Sequence, residues 1–226
     1  MKKGLTEVVM IIDRSGSMAG LEQDTIGGFN SFIENQKKED GDAFVSVVLF
    51  DHETEVLYDR VDIRKVECMN DKQYYVRGCT ALLDAVGRAI HHIGNVHKYA
   101  RPDDVPEKTI FVITTDGMEN SSKYYSYDKV RMMIDRQKKK YQWEFLFLGA
   151  NIDAVKEAGR FGINANRAAE YHHDAEGTRL NYSVVSHIVG CARKASSAHD
   201  MQSMLDEDDM LAPIRQDYKK REKRKN

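Results

Sequence analysis

Val8-Val9-Met10-Ile11-Ile12-Asp13-Arg14-Ser15-Gly16-Ser17 is the stretch that decides the fold. Five consecutive apolar residues, four of them β-branched, stop abruptly at an aspartate. A short, nearly continuous apolar run is what a parallel strand covered on both faces requires. Ending it at Asp13 delivers a carboxylate to the carboxyl edge of a sheet, where open α/β sheets bind their ligands. Ser15 and Ser17 add two hydroxyls on the same turn. Hard oxygen donors gathered at such an edge suit a hard divalent cation, Mg²⁺ in particular.

The rest of the chain supplies the sheet. Residues 7–12, 43–50, 109–115 and 143–148 have strand character, and three of these runs are almost unbroken in β-branched or large apolar residues. Residues 55–61 alternate more and follow Asp51-His52-Glu53-Thr54 closely, so they predict a hairpin and an antiparallel strand near the sheet edge. Helical spacing fills the gaps. Leu21, Ile26, Phe29, Phe32 and Ile33 form one stripe, and Leu82, Leu83, Val86, Ala89, Ile90 and Ile93 form another behind Thr80. Residues 127–139 and 177–198 predict two more helices, with a short one over 154–159. Strand alternating with helix means a doubly wound, mostly parallel α/β sheet with helices on both faces.

Bulk properties narrow the function. A chain of 226 residues buries one good α/β core, placed over residues 1–199. Beyond it, an acidic block at 206–209 and a basic run at 219–225 predict a charged tail over 200–226, mobile or partly docked. The net charge of −2 provides no field to gather nucleic acid or anionic lipid, except locally at the basic tail. Three scattered cysteines form neither a disulfide framework nor a zinc knuckle. The first apolar run is shorter than the roughly 7–15 residues of a signal-peptide core, and nothing approaches the roughly 18–20 apolar residues of a membrane span. The expected location is the cytoplasm.

Two later segments fall where this architecture puts strand ends or adjoining loops. Gly78-Cys79-Thr80 precedes a helix, and Thr114-Thr115-Asp116-Gly117 closes the apolar run Ile110-Phe111-Val112-Ile113. Each alone reads as ordinary turn and cap chemistry, since Asp, Ser and Gly are common turn formers. Together, Asp13, Ser15, Ser17, Thr80 and Asp116 make a candidate metal site.

This combination resembles the von Willebrand factor type A domain, whose metal-ion-dependent adhesion site (MIDAS) is built from DxSxS, a Thr in a later loop and an Asp ending the fourth strand. All five positions match, and the likeness covers roughly residues 5–199, with the look of bacterial or phage members. The resemblance implies that Ser15, Ser17 and Thr80 ligate Mg²⁺ or Mn²⁺ through their hydroxyls, while Asp13 and Asp116 act mainly through bound waters. An ion so held keeps positive charge and would capture an Asp or Glu carboxylate from a protein partner. An ATPase or a stress-response complex is the kind of context the resemblance suggests.

Other features carry less. Asp84, one helical turn after Thr80, could support the site or simply cap and pair on the helix. Cys79 reads as a small half-buried residue. The pairs His91-His92 and His172-His173 invite a metal reading, but adjacent side chains on a helix diverge, so exposed or capping roles are expected. Gly149-Ala150-Asn151 reads as a βα loop, and no P-loop is present. The rival enzyme reading makes Asp13 the nucleophile of a metal-dependent phosphatase-like hydrolase. Such enzymes of the haloacid dehalogenase kind carry DxDx(T/V), and Ser15 stands where the second Asp belongs. Binding, not catalysis, is the expectation.

Overall fold

In the computed structural model, which describes residues 1–225, the run ending at Asp13 extends backwards into a twelve-residue strand, β1 (Lys2–Asp13). It is followed by β2 (Ala43–Phe50), β3 (Thr54–Asp62), β4 (Pro106–Asp116), β5 (Glu144–Ala150) and β6 (Ala168–Tyr171). The helices are α1 (Glu22–Lys37), α2 (Leu82–Tyr99), α3 (Tyr127–Tyr141), α4 (Ala154–Arg160), α5 (Ala175–Lys194), α6 (Ala198–Glu207) and α7 (Ala212–Lys225). The strands form one sheet in the order β3-β2-β1-β4-β5-β6. All neighbours pair in parallel except β2 and β3, which form the antiparallel hairpin expected from their close spacing.

Side-chain alternation along the strands explains the unbroken apolar runs. Val8, Met10 and Ile12 enter one core with Phe29, Phe32 and Ile33 of α1 and Val185, Ile188 and Val189 of α5. Val9 and Ile11 enter the other with Leu82 and Val86 of α2, Val130 and Ile134 of α3 and Ala154 of α4. Each fully buried Val, Ile or Phe contributes about 1.5–3 kcal/mol relative to exposure, so a strand buried on both faces is anchored at every position. The chain order reverses between β1 and β4, with β2 and β3 on one side and β4 to β6 on the other. A crevice at the carboxyl ends of these two strands is the usual ligand position in such sheets. Asp13 and Asp116 are their last residues.

Two features bear on the expectation. The four-residue strand β6 has the composition Ala-Ala-Glu-Tyr, with no β-branched residue to announce it. The region beyond residue 199, expected to be mobile or partly docked, is docked over its described part, and its last residue, Asn226, lies outside the described residues. Met201 and Leu205 of α6, then Leu211 and Ile214, are buried against the α1/α5 side of the sheet. Met201 and Leu205 are one helical turn apart, and so are Leu211 and Ile214, spacings that the surrounding charges hide. Arg215 of α7 donates to the Ala168 carbonyl at 2.6 Å, and Arg221 pairs with Asp174. Among the described residues no helix is long and apolar enough to cross a membrane.

Candidate metal centre

Asp13 joins the ends of the two central strands. One of its oxygens accepts the Ser15 backbone N–H at 2.7 Å; the other accepts the Thr115 hydroxyl at 2.7 Å and the Asp116 N–H at 3.2 Å. The side chain is buried, and burial pushes its pKa up, with the hydrogen bonds from Ser15 and Thr115 opposing. Ser15 Oγ and Ser17 Oγ lie 3.1 Å apart, and the Ser17 hydroxyl donates to the Asp116 carbonyl at 2.5 Å.

The turn between these residues is pinned from below. Tyr74 donates its hydroxyl to the Asp13 carbonyl at 2.6 Å, and the Arg14 N–H donates to the Phe50 carbonyl at 2.8 Å. The Arg14 side chain is fully buried, with Nε 2.8 Å from Asp51 Oδ2 and Nη1 2.6 Å from Glu55 Oε2. Asp51 also accepts from Arg77 at 2.8 Å, and its carbonyl receives the Ala81 N–H at 2.7 Å. A buried ion pair thus ties the first segment to the loop that carries Thr80.

That loop is close. Gly16 N–H donates to the Gly78 carbonyl at 3.1 Å, and Arg77 N–H to the Arg14 carbonyl at 2.9 Å. Gly78 has φ +68°, and a Cβ there would meet the His52 ring at 2.1 Å, so any other residue would be strained and would displace that ring. Thr80 exchanges hydrogen bonds with Asn120, through its N–H at 3.0 Å and its carbonyl at 3.1 Å. The clearest measure of convergence is Gly117: an ideal Cβ on it would stand 3.6 Å from Ser17 Oγ and 3.9 Å from Thr80 Oγ1. Hydroxyls of the first and second segments therefore both lie within 4 Å of one point over the third.

Asp84 neither caps α2 nor faces the hydroxyls. Its carboxylate accepts the N–H groups of Lys123, Tyr124 and Tyr125, each at 2.9 Å, and so shapes the loop after β4. Cys79 is exposed, not half-buried. His92 is the exposed residue expected, paired with Asp59 at 2.8 Å.

His172 and His173 differ from expectation, because the unrecognised strand β6 brings them to the same sheet edge. His172 is buried, stacked on Tyr218. His173 Nδ1 lies 2.9 Å from Asp116 Oδ2, in a geometry that is not a hydrogen bond, and both atoms are buried without a hydrogen-bond partner. Asn151, a left-handed residue at the end of β5, donates its amide to Asp116 Oδ1. Burial raises the Asp116 pKa; His173 and the Asn151 bond oppose this, while the nearby Asp13 charge adds to it. Among the described residues no Arg or Lys pairs with either Asp13 or Asp116.

Two buried carboxylates that no Arg or Lys neutralises, beside three hydroxyls, are a donor set that a divalent cation fits. A second grouping, Asp51, His52 and Glu53, also places three ligating atoms within 4.8 Å of one another. Its central carboxylate is already neutralised by Arg14 and Arg77.

Solved structures share this architecture. Proximal thread matrix protein 1 of the mussel byssus, with a zinc-occupied MIDAS motif, matches at TM-score 0.57 and 15% identity, over 83% of this chain and 46% of that one. The ArnB paralog VWA2 of Sulfolobus acidocaldarius matches at TM-score 0.50 and 18% identity, over 81% and 44%. A von Willebrand factor type A protein of Catenulispora acidiphila matches at TM-score 0.50 and 16% identity, over 80% and 41%. The chain spans less than half the length of these proteins. No protein-family model matches it, and no curated protein does. At these identities the likeness establishes the fold: the chain has the von Willebrand factor type A fold.

Proposed function

We propose that this protein is a divalent-cation-dependent protein-binding module. Ser15, Ser17 and Thr80 would hold Mg²⁺ or Mn²⁺ through their hydroxyls, with Asp13 and Asp116 supporting the ion's shell. Neutral hydroxyl ligands leave the ion electrophilic, so it takes a carboxylate oxygen from an Asp or Glu of the partner. The observation that carries this reading is that the Ser17 and Thr80 hydroxyls both approach the space over Gly117, beside two buried carboxylates that no Arg or Lys neutralises. Met118, exposed just beyond the site, offers an apolar flank for the partner.

Catalysis by Asp13 is the weaker reading. Its carboxylate is buried and both oxygens accept hydrogen bonds from the chain itself, so neither is presented as a nucleophile. Within the binding class, an adaptor for a cytoplasmic ATPase or stress-response complex is the context proposed.

Calorimetry with Mn²⁺ on the wild type and on Asp13→Ala/Asp116→Ala tests the site: heat of binding is expected only from the wild type, and equal heats from both reject it. Partner capture with Mg²⁺ and with EDTA tests the function. Partners retained equally under both conditions would reject a metal-mediated contact.

A further inference from the structure

We propose that His173 belongs to the metal centre itself, supplying a nitrogen ligand through Nδ1 beside a directly bound Asp116 Oδ2, and so biases the site from Mg²⁺ towards Zn²⁺ and other borderline ions. This rests on the metal-binding reading above and deepens it. The resemblance to MIDAS domains implies only oxygen donors, with Asp116 acting through water.

The spacing is the first argument. Nδ1 and Oδ2 lie 2.9 Å apart, too poorly aligned for a hydrogen bond. Two donors at about 2.0–2.2 Å from one ion, in adjacent octahedral positions, stand about 3 Å apart. The second argument is burial. Buried polar atoms nearly always have a hydrogen-bond partner, and here two potential donors to a cation converge within ion-pair distance but with no hydrogen bond. The Ser17 hydroxyl, one of the expected ligands, donates to the Asp116 backbone carbonyl, so His173 and the first segment approach the same residue.

The third argument is preorganisation. His172 is stacked on Tyr218 with ring centroids 4.5 Å apart, and its Nε2 lies 3.2 Å from the Tyr218 carbonyl. On the other side, Asp174 caps α5 by accepting the Gly177 N–H at 2.9 Å. A Cβ at Gly177 would come within 2.1 Å of the His172 carbonyl, so the helix approaches the turn as closely as glycine permits. His173 is therefore held between two fixed neighbours rather than hanging on a mobile loop. Chemistry supplies the selectivity: imidazole suits zinc and its neighbours, whereas Mg²⁺ favours an all-oxygen octahedral shell.

Electron spin-echo spectroscopy of the Mn²⁺-loaded full chain reads the ligand directly. Nitrogen modulation from a histidine is expected in the wild type and absent in His173→Gln. Calorimetric competition is expected to show Zn²⁺ affinity falling by about tenfold or more in His173→Gln and His173→Ala, with a smaller loss for Mg²⁺. The wild-type spectrum stands on its own if either variant folds poorly. Bound Mn²⁺ without nitrogen modulation, or an unchanged ratio of Zn²⁺ to Mg²⁺ affinity in folded variants, overturns the His173 assignment alone when Asp13→Ala/Asp116→Ala still abolishes binding. A wild type that binds none of the ions overturns the underlying metal reading as well.

Discussion

Tyr218 lies over His172 with ring planes 22° from parallel, which joins the C-terminal helix to the turn that carries His173. Arg221 reinforces the join by pairing with Asp174, the cap of α5. A segment whose composition suggests a solvated tail thereby becomes a buttress of the candidate site. Tyr218→Ala should cost about 0.5–1.5 kcal/mol for the lost ring pair, plus the burial that the ring provides. It should also weaken metal binding several-fold, because the turn loses one of its two anchors. Urea unfolding and Mn²⁺ calorimetry on the same variant check both; an unaltered metal affinity would separate α7 from the site.

Arg14 has no counterpart in the ligand set, yet inside the DxSxS turn it is a fully buried cation. Its partner Asp51 sits at the end of the neighbouring strand and receives a second guanidinium from Arg77. Removing Arg14 leaves the buried Asp51 with Arg77 in place of two guanidinium groups, so Arg14→Met should destabilise, by less than the roughly 3–5 kcal/mol of a buried charge left wholly unpaired. Arg14→Met/Asp51→Leu should recover part of that loss, because no buried charge is left alone. Chemical denaturation of both variants decides this, and a double variant no better than the single one would refute the charge argument.

The same cluster sets a pH dependence. Burial pushes the Asp51 carboxyl up, but the bonds from Arg77, the Glu53 N–H and Arg14 outweigh it and hold the pKa below its ordinary 3.8. A carboxylate depressed in the folded state contributes stability that is complete above its unfolded value and lost as pH falls through the folded one. Stability should therefore drop below about pH 4. Asp51→Asn, less stable at neutral pH, should show a shallower decline over that window. Urea midpoints measured from pH 5 to pH 2.5 compare the slopes, and parallel curves would argue that other carboxylates dominate.

Much of this was readable in the chain because the relevant signals are local. An apolar run that ends in Asp13 fixes both a strand and the edge its carboxylate occupies, and the same holds for Ile110 to Asp116. Thr80 was placed by its position before an apolar helical stripe. What escaped depends on pairing across distance. Residues 168–171 are too short and too alanine-rich to show strand character, so His173 had no sheet edge on which to stand. Asn151 was seen as part of a loop, but its aim at Asp116 follows from the β4/β5 register, in which Asp116 lies beside Ala150. Arg14 stands between two ligand positions, and nothing in its neighbourhood tells of Asp51 37 residues away.

Asp116 carries the sharpest contrast between stability and binding. Burial pushes its pKa up, and the Asp13 charge pushes in the same direction, so the ionised form is disfavoured in the folded chain. For a carboxyl raised in the folded state the penalty is present above its folded pKa and fades as pH falls through it, which places it in force at neutral pH. A cation removes that penalty by supplying the missing positive charge. Asp116→Asn should relieve it permanently: the amide oxygen still accepts from Asn151, and the amide nitrogen can meet His173 Nδ1 as a donor. The variant is therefore expected to melt above the wild type in EDTA, while losing the rise in melting temperature that Mg²⁺ or Mn²⁺ gives the wild type. By linkage, an ion present at a hundred times its dissociation constant stabilises by about 2.7 kcal/mol, well within the reach of a thermal melt. If Asp116→Asn melts lower in EDTA, the ionised carboxylate is a structural partner of His173 rather than a charge awaiting an ion.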